Sequence, residues 1–308
     1  GMRPWEAFLR VSLPMARPAI AAGLSLALME TLADFGAVSI FNFDTFTTAI
    51  YKAWFGFFSL ETAAQLASLL LLCVLVALFL GRRARGRARY FRASAKGRGG
   101  RLRLRRPWAW AASGFALLVL SCGFLVPVGQ LLVWAWQNTG DFDSRYLGLL
   151  LHTLQLGVMA AAATVLIAIL LAYARRIEND PMTRRAVAAA TIGYAMPGSV
   201  LAVGIMLSFT WIDNRLAELL GTGGQWLSGT VFALILAYIT RFMAVAYGAV
   251  DSSLEQIRPV LGDAARLLGA RHIEVIRRVY VPMLRPGLLT AALLVAVDVM
   301  KELPATLL

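Results

Sequence analysis

GARHIEVIRRVYVPMLRP, residues 269–286, repeats GMRPWEAFLRVSLPMARP, residues 1–18, at an offset of 268 positions. The offset pairs Gly1 with Gly269, Arg3 with Arg271, Glu6 with Glu274, Arg10 with Arg278, Pro14 with Pro282, Met15 with Met283 and Pro18 with Pro286. A self-match at so long a period marks a duplicated unit. Each copy runs straight into an apolar stretch. There Glu30 meets Asp298 and Asp34 meets Glu302, so acidic character recurs at the same two depths.

Those apolar stretches set the fold class. Hydrophobic residues fill 59% of the 308 positions and charged residues only 15%, a balance foreign to soluble domains. Seven stretches can cross a hydrocarbon core of about 30 Å as helices: residues 19–40, 60–80, 108–134, 147–174, 186–212, 228–250 and 287–308. The expected fold is all-α, a polytopic transmembrane helical bundle.

The net charge of +13 raises nucleic acid as a partner, but the charge is segregated. Of 30 Lys and Arg, 25 lie within residues 1–18, 81–107, 174–186 and 251–286, and the three other connections hold only Lys52, Arg145 and Arg215. Seven spans threaded in order put the rich segments on one side, which the positive-inside rule makes cytoplasmic. Trp108, Trp110, Trp134, Trp136, Trp211 and Trp226 fall at span ends, as interfacial Trp should. Both copies of the repeat then face the cytoplasm, so the duplication is parallel rather than inverted. Cys73 and Cys122 lie inside spans and give no disulfide framework.

Residues 81–107 carry twelve basic side chains and no acid. An Arg-rich RNA-binding segment is one reading; a cytoplasmic linker drawn to anionic headgroups needs no extra assumption. It divides the chain into residues 1–80, the C-terminal part of a first half with a partial loop and two spans, and residues 108–308, a second half with five spans and a loop at 251–286. The symmetry predicts about four spans before Gly1 and one after Leu308, so the chain reads as cut at both ends.

The stretch DAARLLGARHIEVIRRVYVPMLRP, residues 263–286, reads as helix, turn, helix. Asp263 suits a helix start, Ala264, Ala265, Arg266, Leu267 and Leu268 favour helix, and Gly269 suits a left-handed stop. Ile273, Ile276 and Tyr280 then form an apolar stripe at spacings of three and four, with Pro282 ending the helix. Trp5, Phe8 and Ser12 hold the matching positions in the first copy, and Pro14 matches Pro282.

DAARLLGA followed by RRVYVPMLRP resembles the EAA loop of ABC importer permeases, with Asp263 in place of the leading Glu and Val281 in place of the Leu before Pro282. The resemblance implies that Asp263, Ala264, Ala265, Gly269, Ile273, Ile276 and Pro282, with Gly1, Trp5, Phe8 and Pro14 in the first copy, belong to two coupling loops docked on two copies of an ATP-hydrolysing subunit. The plain alternative is an ordinary amphipathic cytoplasmic loop; its recurrence with the same Gly-to-Pro-to-Pro spacing weighs against that. The chain has no GxxxxGK[ST] loop. No cofactor is expected on it, and ATP and Mg belong to the partner ATPase. A soluble substrate-binding protein and the lipid of a bacterial inner membrane complete the implied surroundings.

The similarity extends along the chain. METLADFGAVSIFNFDTFTTAIYKAWF, YAMPGSVLAVGI, RFMAVAYGAVDSSLEQI and DVMKELPATLL resemble the fused two-half permeases of the ferric-iron import group. The implied function is a non-enzymatic permease subunit for ferric iron, although permeases for thiamine, sulfate, polyamines and phosphonates share the plan. With its span beginning near Gly287, Asp298 lies about 17 Å deep and Glu302 about 22 Å deep, four residues apart on one face. Glu30 and Asp34 reproduce this, so four carboxylates can converge. Two readings stand for them: oxygen donors along a cation path, or structural partners of Lys301 and of Arg241 in the sixth span. Pro304, matching Gly36, marks a helix break near the outer end of the span, and Pro197 a kink in the fifth. No metal-ligand set is assigned. A secondary transporter would need no paired Gly-hinged loops, and an intramembrane enzyme would need a nucleophile or metal partner that these acids lack in sequence.

Overall fold

The computed structural model describes residues 4–85, 106–138, 143–178, 180–221, 226–258, 260–302 and 306. Gly1, Pro304 and most of the basic segment, residues 86–105, lie outside the described residues. The described residues are helical, with no strand among them. In chain order they form α1 (Pro4–Ala7), α2 (Leu13–Ala33), α3 (Gly36–Ile40), α4 (Phe46–Tyr51), α5 (Leu60–Arg85), α6 (Arg106–Leu120), α7 (Val126–Gln137), α8 (Ser144–Ile177), α9 (Pro181–Ala190), α10 (Gly198–Leu220), α11 (Val231–Glu255), α12 (Val260–Leu267), α13 (His272–Val275) and α14 (Val281–Met300). Among the described residues six helices are long and apolar enough to cross a membrane: Leu60–Gly81, Arg106–Gln137, Arg145–Ile177, Gly198–Leu220, Val231–Glu255 and His272–Met300. A seventh is a pair, Trp5–Arg17 and Ala19–Ala33, bent by 52°.

Residues 1–88 and 152–308 form one compact unit and residues 89–151 another. The smaller unit holds α6 and α7, joined through a π turn at Ser121–Leu125. In the larger unit, Ala160, Ala161, Ala168 and Ala172 of α8 bury a stripe of small side chains in one core with Tyr238, Ala246 and Val250 of α11 and Leu284, Ala291 and Val295 of α14. Small residues let helix backbones approach closely where burial from water offers no drive. A second core joins Ala63, Ala67, Leu70 and Val74 of α5 to Val200 and Val203 of α10.

The two copies of the repeat share one local turn. Phe8–Ser12 and Ile276–Tyr280, again 268 positions apart, are both π turns, and α2 and α14 start at matching residues. Leu13, Val126 and Val281 each donate to the carbonyl five residues back, and each is followed by a proline. Proline has no N–H, and its ring crowds the carbonyl four residues earlier in an α-helix. A turn widened by one residue relieves that crowding and lets the helix continue.

Several expectations therefore need correction. Pro282 does not end a helix, because the π turn absorbs it and His272–Met300 runs on unbroken. The buried face after Gly269 is not the stripe of Ile273, Ile276 and Tyr280. Val275 and Tyr280, one π turn apart, are buried, Ile276 is half-buried and Ile273 is 72% exposed. A period of 3.6 could not foresee a five-residue step. The first span stops at Ala33 rather than residue 40, and the fifth begins at Gly198 rather than residue 186, after a separate α9 and a 3-10 turn at Ile192–Ala195. Helix also trims the basic linker at both ends, since α5 reaches Arg85 and α6 starts at Arg106. Asp263 sits inside the first turn of α12, paired with Arg266, rather than capping the helix.

Candidate functional site

Two helix breaks open a charged cavity. α2 ends at Ala33; Asp34 turns extended (φ −66°, ψ 130°), and its freed carbonyl accepts the Thr47 hydroxyl at 2.7 Å. The break thus comes just before Gly36, which begins α3. In the second copy α14 ends at Met300, with Lys301, the match of Ala33, as its C-cap. A third interruption, from Thr191 to Pro197, separates α9 from α10. Irregular backbone at such a depth is tolerated where it lines a cavity.

That cavity has a volume of about 280 Å³ and is lined by Glu30, Asp34, Asp298 and Glu302, with Tyr194, Arg241 and Lys301 among the other wall residues. All four acids thus line one cavity. Their surroundings differ. The Tyr194 hydroxyl donates to Glu30 Oε1 at 3.4 Å, which links the interruption before α10 to the first copy across the cavity. Lys301 Nζ lies 2.8 Å from Asp298 Oδ1, with the lysine side chain 68% exposed. Arg241 Nε lies 3.0 Å from Glu302 Oε2, with side chains only 13% and 7% exposed. Arg241 Nη1 also donates to the Met196 carbonyl at 2.9 Å, fastening the break before α10.

Glu302 rests against Gly198, the first residue of α10. A Cβ there would collide with Glu302 Oε1 and lie 3.1 Å from Arg241 Nη1. Glycine admits the carboxylate to the positive end of a 23-residue helix. The second-copy acids thus divide: Glu302 is locked in a buried ion pair, and Asp298 shares the cavity with a solvent-reaching lysine. Formal charges of four acids and two bases leave the cavity negative. Among the described residues no three His, Cys, Asp or Glu groups come together as a metal-binding set. The wall thus carries the charge to attract a cation.

The second candidate site is the loop after α11. Gly269 has φ +89°, its N–H donates to the Arg266 carbonyl at 2.9 Å, and the Ala270 N–H donates to the Ala265 carbonyl at 3.1 Å. This is a Schellman stop, with Gly269 as the left-handed residue. Ala265 and Ala270 turn inward, Asp263 and Ala264 face out, and the Arg271 N–H donates to Glu274 Oε2 at 3.0 Å to start the next helix. Leu267 and Leu268, each 89% exposed, immediately precede the turn, and Ile273 after it is exposed as well. In the first copy Trp5 and Phe8 stack at 5.6 Å and are likewise exposed. Pro14 and Pro282 both occupy the second position of the helix after the π turn.

Sequence reasoning had no means of placing Tyr194 on the cavity or Gly198 against Glu302, since both come from a segment distant in the chain and carry no charge. Arg241 left a signal, a lone cation inside an apolar span. Leu267 and Leu268 were readable as helix formers only. Among residues expected at these sites, Gly1 and Pro304 lie outside the described residues.

Residues 164–308 match the family model described as binding-protein-dependent transport system inner membrane component. The chain is 28% identical over 322 residues to the Fe(3+)-transport system permease protein FbpB 2 of Haemophilus influenzae, an alignment covering all of this chain and 60% of that protein. It is 23% identical to the ferric transport system permease protein FbpB of Actinobacillus pleuropneumoniae and 22% identical to the putative ferric transport system permease protein FbpB 1 of H. influenzae. Each alignment covers 93% of this chain, with 43% and 47% of the relative respectively. The chain thus spans less than two thirds of the length of each of these relatives.

Proposed function

We propose, from the match of residues 164–308 to the inner-membrane components of binding-protein-dependent transport systems, that the chain is the permease subunit of an ATP-driven importer of ferric iron. A soluble binding protein delivers the substrate at the outer side. The Gly269 loop and its partial counterpart around Trp5 and Phe8 receive two ATPase subunits, which hold the ATP and Mg. Exposed Leu267, Leu268 and Ile273 supply the apolar contact, and Asp263, Ala264 and Ala265 the helical arm that presents them.

The observation that carries this reading is one helix with two functional ends. His272–Met300 starts in the basic-side loop and ends at the cavity acids, so a push on the loop acts directly on the wall of the path. Ferric iron as substrate accords with the names of the three relatives and with the oxygen-rich, negative wall, since hard cations favour carboxylate oxygen. An anion such as sulfate or phosphonate would need cationic hosts, and both cavity cations already lie in ion pairs.

The test is ATP hydrolysis by the complete reconstituted transporter, stimulated in turn by its binding protein carrying Fe3+, thiamine, sulfate or phosphonate. Fe3+ should stimulate and the others should not; stimulation by another solute would replace the substrate, and uptake driven by a proton gradient without an ATPase would end the proposal.

A cleft of one sign raises local counter-ion concentration by about 10–1000-fold. Asp298→Asn together with Glu30→Gln is therefore expected to lower iron uptake by about tenfold. Membrane accumulation should stay unchanged, because neither acid belongs to the buried pair. Equal loss of uptake and accumulation, read by immunoblot beside the uptake assay, would make these acids structural.

A further inference from the structure

The loop around Gly269 is bolted to the end of α8, a helix that supplies none of the loop's own residues. Arg176, in the last turn of α8, donates through both Nη atoms to the carbonyls of Leu254 and Ile257, at and just beyond the C-terminal end of α11. Its guanidinium also stands 5.3 Å from the centroid of the Tyr280 ring. Tyr280 is buried, packs edge-on against Tyr173 at 5.6 Å, and sets its hydroxyl against Gly262 of α12. A Cβ on Gly262 would run into Tyr280 Oη. One ring thus touches both arms of the loop and the cation that ties α8 to α11.

We infer that Arg176, Tyr280 and Gly262 are the positioning residues that make the loop move as one piece with α8, α11 and α14. The reasoning is mechanical. A helix C-terminus leaves carbonyls without intrahelical donors, and the planar, multi-donor guanidinium can serve two of them while stacking on a ring, which an ammonium cannot do. Without that tie, residues 256–258 after α11 would be a hinge, and a load applied at Leu267 or Leu268 would flex the hinge instead of moving the spans. The first copy has Ser12 where the second has Tyr280, so it has no ring at this position. The inference rests on the loop being the point where an ATPase acts.

The test uses the complete transporter with its ATPase and binding protein in proteoliposomes, reading ATP hydrolysed per ion transported. Gly262→Ala and Arg176→Lys should each raise that ratio by about tenfold, within the range of site-to-site coupling. Adding Tyr280→Phe to Gly262→Ala removes the colliding hydroxyl and should bring the ratio back toward wild type. A ratio unchanged in both single variants, with uptake and hydrolysis falling together, would reduce these residues to ordinary packing and overturn the inference. Backbone hydrogen exchange across residues 254–262 of the detergent-solubilised chain provides a second arm that needs no ATPase. Exchange should quicken in Gly262→Ala and Arg176→Lys and slow again in Gly262→Ala/Tyr280→Phe; unaltered exchange would also overturn the linkage. Wild-type transporter with no ATP-driven uptake would instead defeat the functional reading, leaving the exchange arm to judge the linkage alone.

Discussion

Arg241→Met is expected to destabilise the bundle by about 3–5 kcal/mol, the scale on which a buried charge left without its partner penalises a fold. The pair it breaks is almost sealed, with Glu302 at 7% exposure. The substitution also removes the donor to the Met196 carbonyl, which ties the segment before α10 to α11. The α10 N-terminus would still favour the Glu302 carboxylate, placing the cost toward the lower end of that range. Arg241→Met/Glu302→Met should recover most of the loss, because exchanging both members of a buried pair for apolar groups removes both desolvation penalties. Thermal unfolding of the detergent-solubilised chain measures all three variants. A single variant as stable as wild type, or a double variant worse than the single, would contradict a structural pair.

Gly269→Val should abolish productive loop geometry while leaving the spans inserted. At φ +89° a β-branched side chain is strained, and left-handed backbone costs an L-residue about 1–2 kcal/mol before branching is counted. No atom lies within 4 Å of a Cβ there, so the cost is torsional and does not arise from a neighbour. That strain depopulates the Schellman turn by about tenfold or more. ATP-driven uptake should fall at least in proportion, with membrane accumulation within twofold of wild type. Gly269→Asn, which tolerates the left-handed region, should retain most uptake. Equal uptake by the Val and Asn variants would remove the turn from the coupling route.

How far the sequence carried this picture follows from what kind of signal each feature leaves. Runs of apolar residues and segregated basic loops are written in single stretches, so the spans themselves were legible, whereas several of their ends, set by the breaks after Ala33 and before Gly198, were not. The 268-residue offset exposed the duplicated loop, and Gly269 announced its own backbone. The face after it was misread: a π turn inserts an additional residue per turn, and nothing in IEVIRRVY advertises that step except the proline just beyond. The cavity was half legible. Glu30, Asp34, Asp298 and Glu302 stood out as acids in apolar surroundings, whereas Tyr194 and Gly198 depend on how a broken span folds back, which is a tertiary fact. The pairing of Glu302 with Arg241 rather than with nearby Lys301 was likewise decided by α11 and α14 packing together.

The π turn at Ile276–Tyr280 has one more consequence. An α-helix advances about 100° per residue, so a residue gained or lost in that turn would swing Asp298 to another azimuth relative to the loop. The 29 residues from His272 to Met300 therefore form a keyed shaft, about 43 Å long, whose phase is set at the bulge. A twist applied at the loop end arrives at the acids as rotation, turning one wall of the cavity toward its neighbours or away from them.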